Sequence, residues 1–317
     1  MNLLGYLRAE AGRLKRRVVP TGVILMYHRV AELEDDPWHI AVSAECFAQQ
    51  LEALRARRVH LLGARELAAA LAEGRVPKRF AVITFDDGYR DNLDCAKPLL
   101  ERYEAPATVF VAASEVGRPD GFWWDRLTAL LGAAAQLPEW VDLGGVTVRL
   151  SASDRAAANR QLWQRLVSEP SDAREAGLAE LGRQLAVDPA ALAAAPIMGP
   201  TELRRLADGG LVEIASHGWS HRPLADLQPL DQATELQRSR AWLEELVGRP
   251  VVGLSYPHGS MGADTARLAS QAGYAYACSS RPGLVRAGAD LFALPRMEMR
   301  QTDAAGFERF LADHVLS

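Results

Sequence analysis

Short apolar runs, each halted abruptly by polar or charged residues, recur along this chain. Val23-Ile24-Leu25-Met26-Tyr27 stops at His28-Arg29, and Phe80-Ala81-Val82-Ile83-Thr84-Phe85 stops at Asp86-Asp87-Gly88. Similar runs occupy 107–111, 211–215, 251–255 and 274–278, with weaker ones at 59–62 and 291–294, about eight in all. Being short and rich in β-branched and aromatic residues, they read as buried strands of a parallel sheet. Helical periodicity fills the gaps: 46–58 carries Phe47, Leu51 and Leu54 on one face, and helices are expected at 64–72, 93–103, 201–208 (Thr201 as N-cap) and 231–247. His60, inside the weak run at 59–62, is expected to serve packing. Strand and helix alternate without a break in composition, which predicts one α/β barrel-like domain over 1–317.

Two stretches leave that rhythm. From 121 to 200 the sequence turns Ala-, Arg- and Glu-rich around a short Val146-Thr147-Val148-Arg149-Leu150 segment, read as a helical insertion on one barrel loop. At the N-terminus, Leu3, Leu7, Leu14 and Val18 fall at helical spacing beside Arg8, Arg13, Lys15, Arg16 and Arg17. Residues 1–20 therefore read as a basic amphipathic helix, able to dock on the domain or, through 1–18, to touch an anionic membrane surface.

Composition narrows the function. A chain of 317 residues with 49% hydrophobic content buries a large core, while a net charge of -4 and a pI near 6.0 argue against nucleic-acid binding. Cys46, Cys95 and Cys278 are odd in number and far apart, which suits a reducing compartment and no disulfide framework. The N-terminal apolar stretch is too short for a secretory signal, so the expected location is cytoplasmic, at the membrane periphery if 1–18 binds lipid.

The run ends carry the chemistry. Asp86 and Asp87 are adjacent carboxylates at a strand mouth, where like charges resist joint ionisation unless a cation relieves them. Taken alone, Asp-Asp-Gly reads rather as an ordinary solvated turn with an Asp helix cap. Another run ends in Ser216-His217-Gly218-Trp219-Ser220-His221, two imidazoles at a spacing that lets both reach one ion. Two histidines with a carboxylate form a ligand set that leaves coordination positions open for water and substrate. A third constellation, Ser255-Tyr256-Pro257-His258-Gly259, pairs a fixed φ with a permissive one, so its loop can aim a backbone N–H into the same space. Trp123-Trp124-Asp125 is either an aromatic platform for a sugar or a pin holding the insertion to the barrel.

Thr84-Phe85-Asp86-Asp87-Gly88, the His217/His221 pair and the Tyr256-Pro257-His258-Gly259 loop together resemble the polysaccharide deacetylases of carbohydrate esterase family 4. The resemblance spans about 23–299 apart from the insertion. It implies a distorted (β/α) barrel of about seven strands and hydrolysis of the N-acetyl group of an amino sugar, in a glycan or a glycolipid precursor. It also implies one divalent metal ion, zinc ahead of cobalt or nickel, on Asp87, His217 and His221, with Asp86 as general base and an oxyanion donor among Tyr256, Pro257, His258 and Gly259. The chain departs from the common pattern: Ser255-Tyr256 stands where an Arg usually precedes the third motif, His258 replaces a Tyr, and Leu294-Pro295-Arg296 stands where a late His supplies the acid. The early Tyr27-His28 looks like the poly-N-acetylglucosamine deacetylase branch, which gives His28 the proton-donor role and Arg296 the task of orienting Asp86. Two alternatives stay open, a deformylase or amidase on a lipid-linked or small sugar and a non-catalytic carbohydrate-binding protein. The resemblance fixes no oligomeric state.

Overall fold

The computed structural model describes residues 21–316 except 34, 152, 190, 191, 193 and 194; the basic segment expected at 1–20 lies outside the described residues. The apolar runs become the parallel strands of one curled sheet. Strands β1 (Thr21–Tyr27), β5 (Arg79–Phe85), β6 (Ala107–Val111), β9 (Val212–Ser216), β10 (Gly253–Ser255) and β11 (Tyr276–Cys278) run side by side. β12 (Val285–Arg286) pairs antiparallel with the start of β1, and β2 (Arg29–Val30) pairs with β3 (Ala41–Val42) outside the sheet. The seventh parallel strand, β13 (Met297–Glu298), pairs with β1, and a parallel bridge between Leu294 and Cys278 brings the same segment against β11. The chain from 294 to 298 thus spans the gap between the first and last staves, which makes the sheet a distorted barrel. The expected strand at 291–294 lies a few residues too early, because Pro295 leaves only the Leu294 bridge before the paired residues of β13.

The eighth expected strand is real but is no stave. β4 (His60–Leu62) pairs with Phe80–Val82 of β5, while β6 takes the same edge of β5 from Ile83 onward. His60, expected to pack, is exposed there.

Period-two alternation assigns the two faces of the barrel wall. Ile24, Phe80, Val82, Phe110, Ala215, Cys278 and Leu294 share an interior cluster. Their neighbours Val23, Leu25, Ala81, Ile83 and Val109 face the outer helices α1 (Ala44–Ala56), α3 (Lys97–Tyr103), α7 (Pro200–Ala207) and α8 (Pro229–Val247), whereas α2 (Ala64–Ala72) packs on the interior cluster. Helix α7 is capped by Gly199, whose N–H donates to the Glu202 carboxylate at 2.8 Å, two residues before the expected Thr201. Glu202 reaches the N-cap N–H, so Thr201 is left inside the first turn.

The segment 121–200 forms a separate lobe with its own core of Phe122, Trp123, Trp124, Leu127, Leu162 and Leu181. Helices α4 (Trp123–Ala133), α5 (Arg155–Leu166) and α6 (Ser171–Gln184) dominate it, as expected. It also contains an antiparallel hairpin, β7 (Trp140–Leu143) with β8 (Val146–Arg149), which corrects the purely helical reading. Gly144 and Gly145 both have positive φ, 65° and 84°, as a tight two-residue hairpin turn requires.

Candidate metal and acid–base site

The strand registers bring the polar run ends to one mouth. Tyr27 pairs with Phe85, so the next residues, His28 and Asp86, follow on adjacent strands, and Val111 pairs with Ser216, which His217 follows. Interior parity continues past each strand end, from Ile24 to Met26 and His28, and from Val82 to Thr84 and Asp86. His28, Asp86, His217 and Arg296 therefore all line one cavity of about 270 Å³, together with Asp87, His221, His258, Tyr256, Gly259 and Trp124.

Arg296 lies inside the barrel wall, 1% exposed. Its guanidinium meets Asp86 end to end, Nη1 to Oδ1 and Nη2 to Oδ2 both at 2.7 Å. The remaining donors reach Ser255 Oγ (2.8 Å), the Ser279 carbonyl (3.0 Å) and Thr84 Oγ1 (3.4 Å), and the Ser255 hydroxyl donates to Asp86 Oδ2 at 3.3 Å. Burial pushes the Asp86 carboxyl up, but the Arg296 charge, with His217 and the two-pronged bond, outweighs it and holds Asp86 below the usual carboxylate range. Asp86 is thus ionised and fixed, which are the requirements of a proton acceptor.

Asp87 turns away from that pair through a left-handed backbone at φ 77°. Its Oδ1 lies 3.1 Å from His221 Nε2 and 3.5 Å from His217 Nε2. The three ligand atoms of Asp87, His217 and His221 lie within 4.8 Å of one another, all on buried residues. His217 Nδ1 is 2.8 Å from the Ser255 carbonyl, a contact that requires Nδ1–H and leaves the Nε2 lone pair directed at Asp87. Burial holds His217 down at about 4, so its imidazole is neutral and able to act as a ligand. Burial raises the Asp87 carboxyl, yet its bond to His221 and the surrounding histidines bring it below the ordinary range. An anionic oxygen and two imidazole nitrogens facing one point fit a divalent cation of borderline softness.

The 256–259 loop is a tight turn in which Gly259 N–H donates to the Tyr256 carbonyl (2.8 Å) and Ser260 N–H to the Pro257 carbonyl (2.9 Å). Tyr256 N–H is spent on the Cys278 carbonyl, and Pro257 has none to give. Of the four residues expected to supply an oxyanion donor, His258 alone keeps its backbone N–H outside these bonds. Tyr256 and Pro257 serve structure instead. The Tyr256 hydroxyl donates to the Phe292 carbonyl at 2.9 Å, and Pro257 packs where a Cβ on Gly218 would come within 3.2 Å of it. The His258 ring stands edge-on to His221, centroids 4.5 Å apart, and its Nε2 is 3.2 Å from the His221 carbonyl.

Trp124 is 6% exposed, stacks on Phe122 at 4.3 Å, donates Nε1–H to Tyr89 Oη at 2.8 Å and lies 4.8 Å from the His221 ring. Of the two readings of this residue, the geometry matches the pin. The half-buried aromatic surface of the cavity comes from Trp38 and Trp163, whose rings are 5.5 Å apart. Both escaped the sequence reading. Trp163 sits on an interior helix of the insertion, and Trp38 lies in a loop without periodicity. Ser255 is named in the sequence only as the start of the third motif, and its bonds to Arg296 and Asp86 were not foreseen, although its interior parity points it at them.

A family model described as polysaccharide deacetylase matches residues 73–277. Among curated relatives, YxkH of Bacillus subtilis is 20% identical over 277 residues, 87% of this chain and 70% of its own. The poly-beta-1,6-N-acetyl-D-glucosamine N-deacetylase of Staphylococcus epidermidis is 27% identical over 131 residues, 36% of this chain and 45% of that protein. Among solved structures, the Streptococcus pyogenes deacetylase PplD in complex with acetate aligns with a TM-score of 0.62 at 18% identity, covering 94% of this chain and 99% of its own, a likeness of fold.

Proposed function

Because this chain belongs to the polysaccharide deacetylase family, we propose that the cavity hydrolyses the N-acetyl group of an amino sugar within a glycan or glycolipid precursor, releasing acetate and a free amine. The observation that carries the reading is the pairing of a fixed, ionised Asp86 with a separate Asp87–His217–His221 ligand set in one cavity. Two adjacent carboxylates thereby hold different tasks.

Asp87, His217 and His221 would hold the cation, and zinc, with cobalt or nickel as substitutes, suits two imidazoles and a carboxylate. When bound, such an ion polarises the amide carbonyl and acidifies a water. Asp86 takes the proton from that water as its oxygen attacks the carbonyl carbon. Arg296 keeps Asp86 ionised and pointed. The His258 N–H supports the negative charge developing on the carbonyl oxygen. His28, directly after β1 as Asp86 is directly after β5, and lining the same cavity, gives a proton to the sugar nitrogen as the C–N bond breaks. Trp38 and Trp163 offer apolar faces to the pyranose ring. The basic segment 1–18 would bring the enzyme to an anionic membrane surface, on the cytoplasmic side, where lipid-linked sugars are reached.

Incubation of the zinc-loaded protein with N-acetylated glucosamine oligomers should release acetate with one new amine per acetate. Saturable binding with no acid released overturns this reading, as does release of formate from the matching N-formyl oligomers with no acetate from the N-acetyl ones.

A further inference from the structure

His217 is anchored on both sides: its N–H donates to the Val111 carbonyl at 2.8 Å, and its ring is fixed through Nδ1. His221 is not. Its Nδ1 is buried and has no hydrogen-bond partner among the described residues, so apart from the Nε2 contact with Asp87, the edge a bound cation would take, no bond from its ring sets its orientation. Its position is inherited from the backbone of the three residues that connect it to His217.

That backbone is held from helix α8. The N–H groups of Trp219 (3.1 Å) and Ser220 (2.8 Å) both donate to Glu235 Oε2, and the Ser220 hydroxyl donates to Oε1 at 2.7 Å. One turn along the same helix, the Arg238 guanidinium lies 3.8 Å from the centroid of the Trp219 ring. From the end of β6, Ala113 and Ser114 N–H groups take the Gly218 and Trp219 carbonyls at 3.1 and 2.9 Å. The held conformation is a costly one. Gly218 and His221 both have positive φ, 75° and 55°, and a non-glycine residue persists there only where its surroundings over-determine it.

We propose that Glu235 is a positioning residue for the metal site, clamping residues 218–220 so that His221 Nε2 stays on the point that Asp87 and His217 define. The proposal rests on the reading of those three residues as metal ligands. Three donors converge on one carboxylate, a charge-assisted arrangement stronger than neutral bonds would give. An acceptor two bonds removed from a ligand tunes affinity by sparing the ion the work of ordering the loop.

The test is competitive titration of the metal-free full-length protein with Zn2+, alongside the visible spectrum of the Co2+ form. Glu235→Ala should weaken Zn2+ binding by about 10–100-fold and alter the cobalt spectrum. It should restore most of kcat, with KM for the sugar unchanged, once zinc is saturating. Glu235→Gln, which keeps an acceptor oxygen, should fall between Ala and wild type. Glu244→Ala removes a bond from the same helix, to Val251 N–H at 3.0 Å, that does not touch the loop. It should lower the melting temperature and leave zinc affinity unchanged. Wild-type zinc affinity in Glu235→Ala overturns the clamp, as does wild-type affinity in Glu235→Gln if the Ala variant fails to melt cooperatively. A wild-type protein that binds neither ion overturns the metal reading itself, a separate outcome.

Discussion

Arg296 and Asp86 are 210 positions apart and meet through two parallel bonds inside the barrel wall. Removing one partner of such a buried pair strands the other charge, at a cost of about 3–5 kcal/mol. Arg296→Met should lower stability by that order in urea unfolding. Arg296→Lys keeps the charge but offers a point donor in place of a fork. Because Arg296 holds Asp86 down, a weaker partner lets its pKa rise, so the base is protonated over a wider acid range. The expected result is kcat reduced by about 100-fold and an acid limb of kcat/KM displaced to higher pH; an unmoved limb would detach Arg296 from the base. At this scale the sequence is most legible where residue types have narrow chemistry. Asp86, Asp87, His217 and His221 stand at run ends as bare functional groups. Ser255 and Glu235 act through hydrogen bonds that any of several residue types could make; interior parity alone marks Ser255, and nothing local in the sequence reveals Glu235.

The insertion is joined to the barrel by a polar seam next to the metal site. Tyr89 Oη donates to Asp125 at 3.0 Å and accepts from Trp124, while Arg29 lies over the Tyr89 ring at 4.5 Å and pairs with Asp91 at 2.9 Å. Burial lifts the Asp125 carboxyl to about 7, against the opposing charge of Arg29 and the bond from Tyr89. In the unfolded chain the same carboxyl titrates near 3.8, so between these values the folded state binds the extra proton. Stability therefore falls as pH rises from about 4 to about 7, and the loss persists above that. Asp125→Asn keeps an acceptor for Tyr89 and removes the titration. Its melting temperature should gain on wild type between pH 5 and 8; parallel curves would exclude Asp125 as the cause. Parallel strands and amphipathic helices were readable from periodicity because burial imposes it along each element. The β7–β8 hairpin went unread although Leu143-Gly144-Gly145-Val146 carries its turn, because the surrounding Ala-rich helices dominated the segment.

At the scale of the whole molecule, the barrel converts sequence order into one mouth. Each stave is placed by its apolar run, and interior parity then delivers one polar residue per strand end to the same cavity. Closure of the barrel was the least legible step. The segment 294–298 has only one bridge and two paired residues, too short for a periodic signal, yet it seats Arg296. The central claim, that Asp87, His217 and His221 serve a cation while Asp86 serves the water, is tested by titrating metal-stripped protein with Zn2+ while recording acetate release from an N-acetylated oligosaccharide. The account predicts activity rising to a plateau at one equivalent in the wild type, and in Asp86→Asn full zinc loading with acetate release reduced by about 100-fold or more. Undiminished release by the stripped protein, or by zinc-loaded Asp86→Asn, would contradict it.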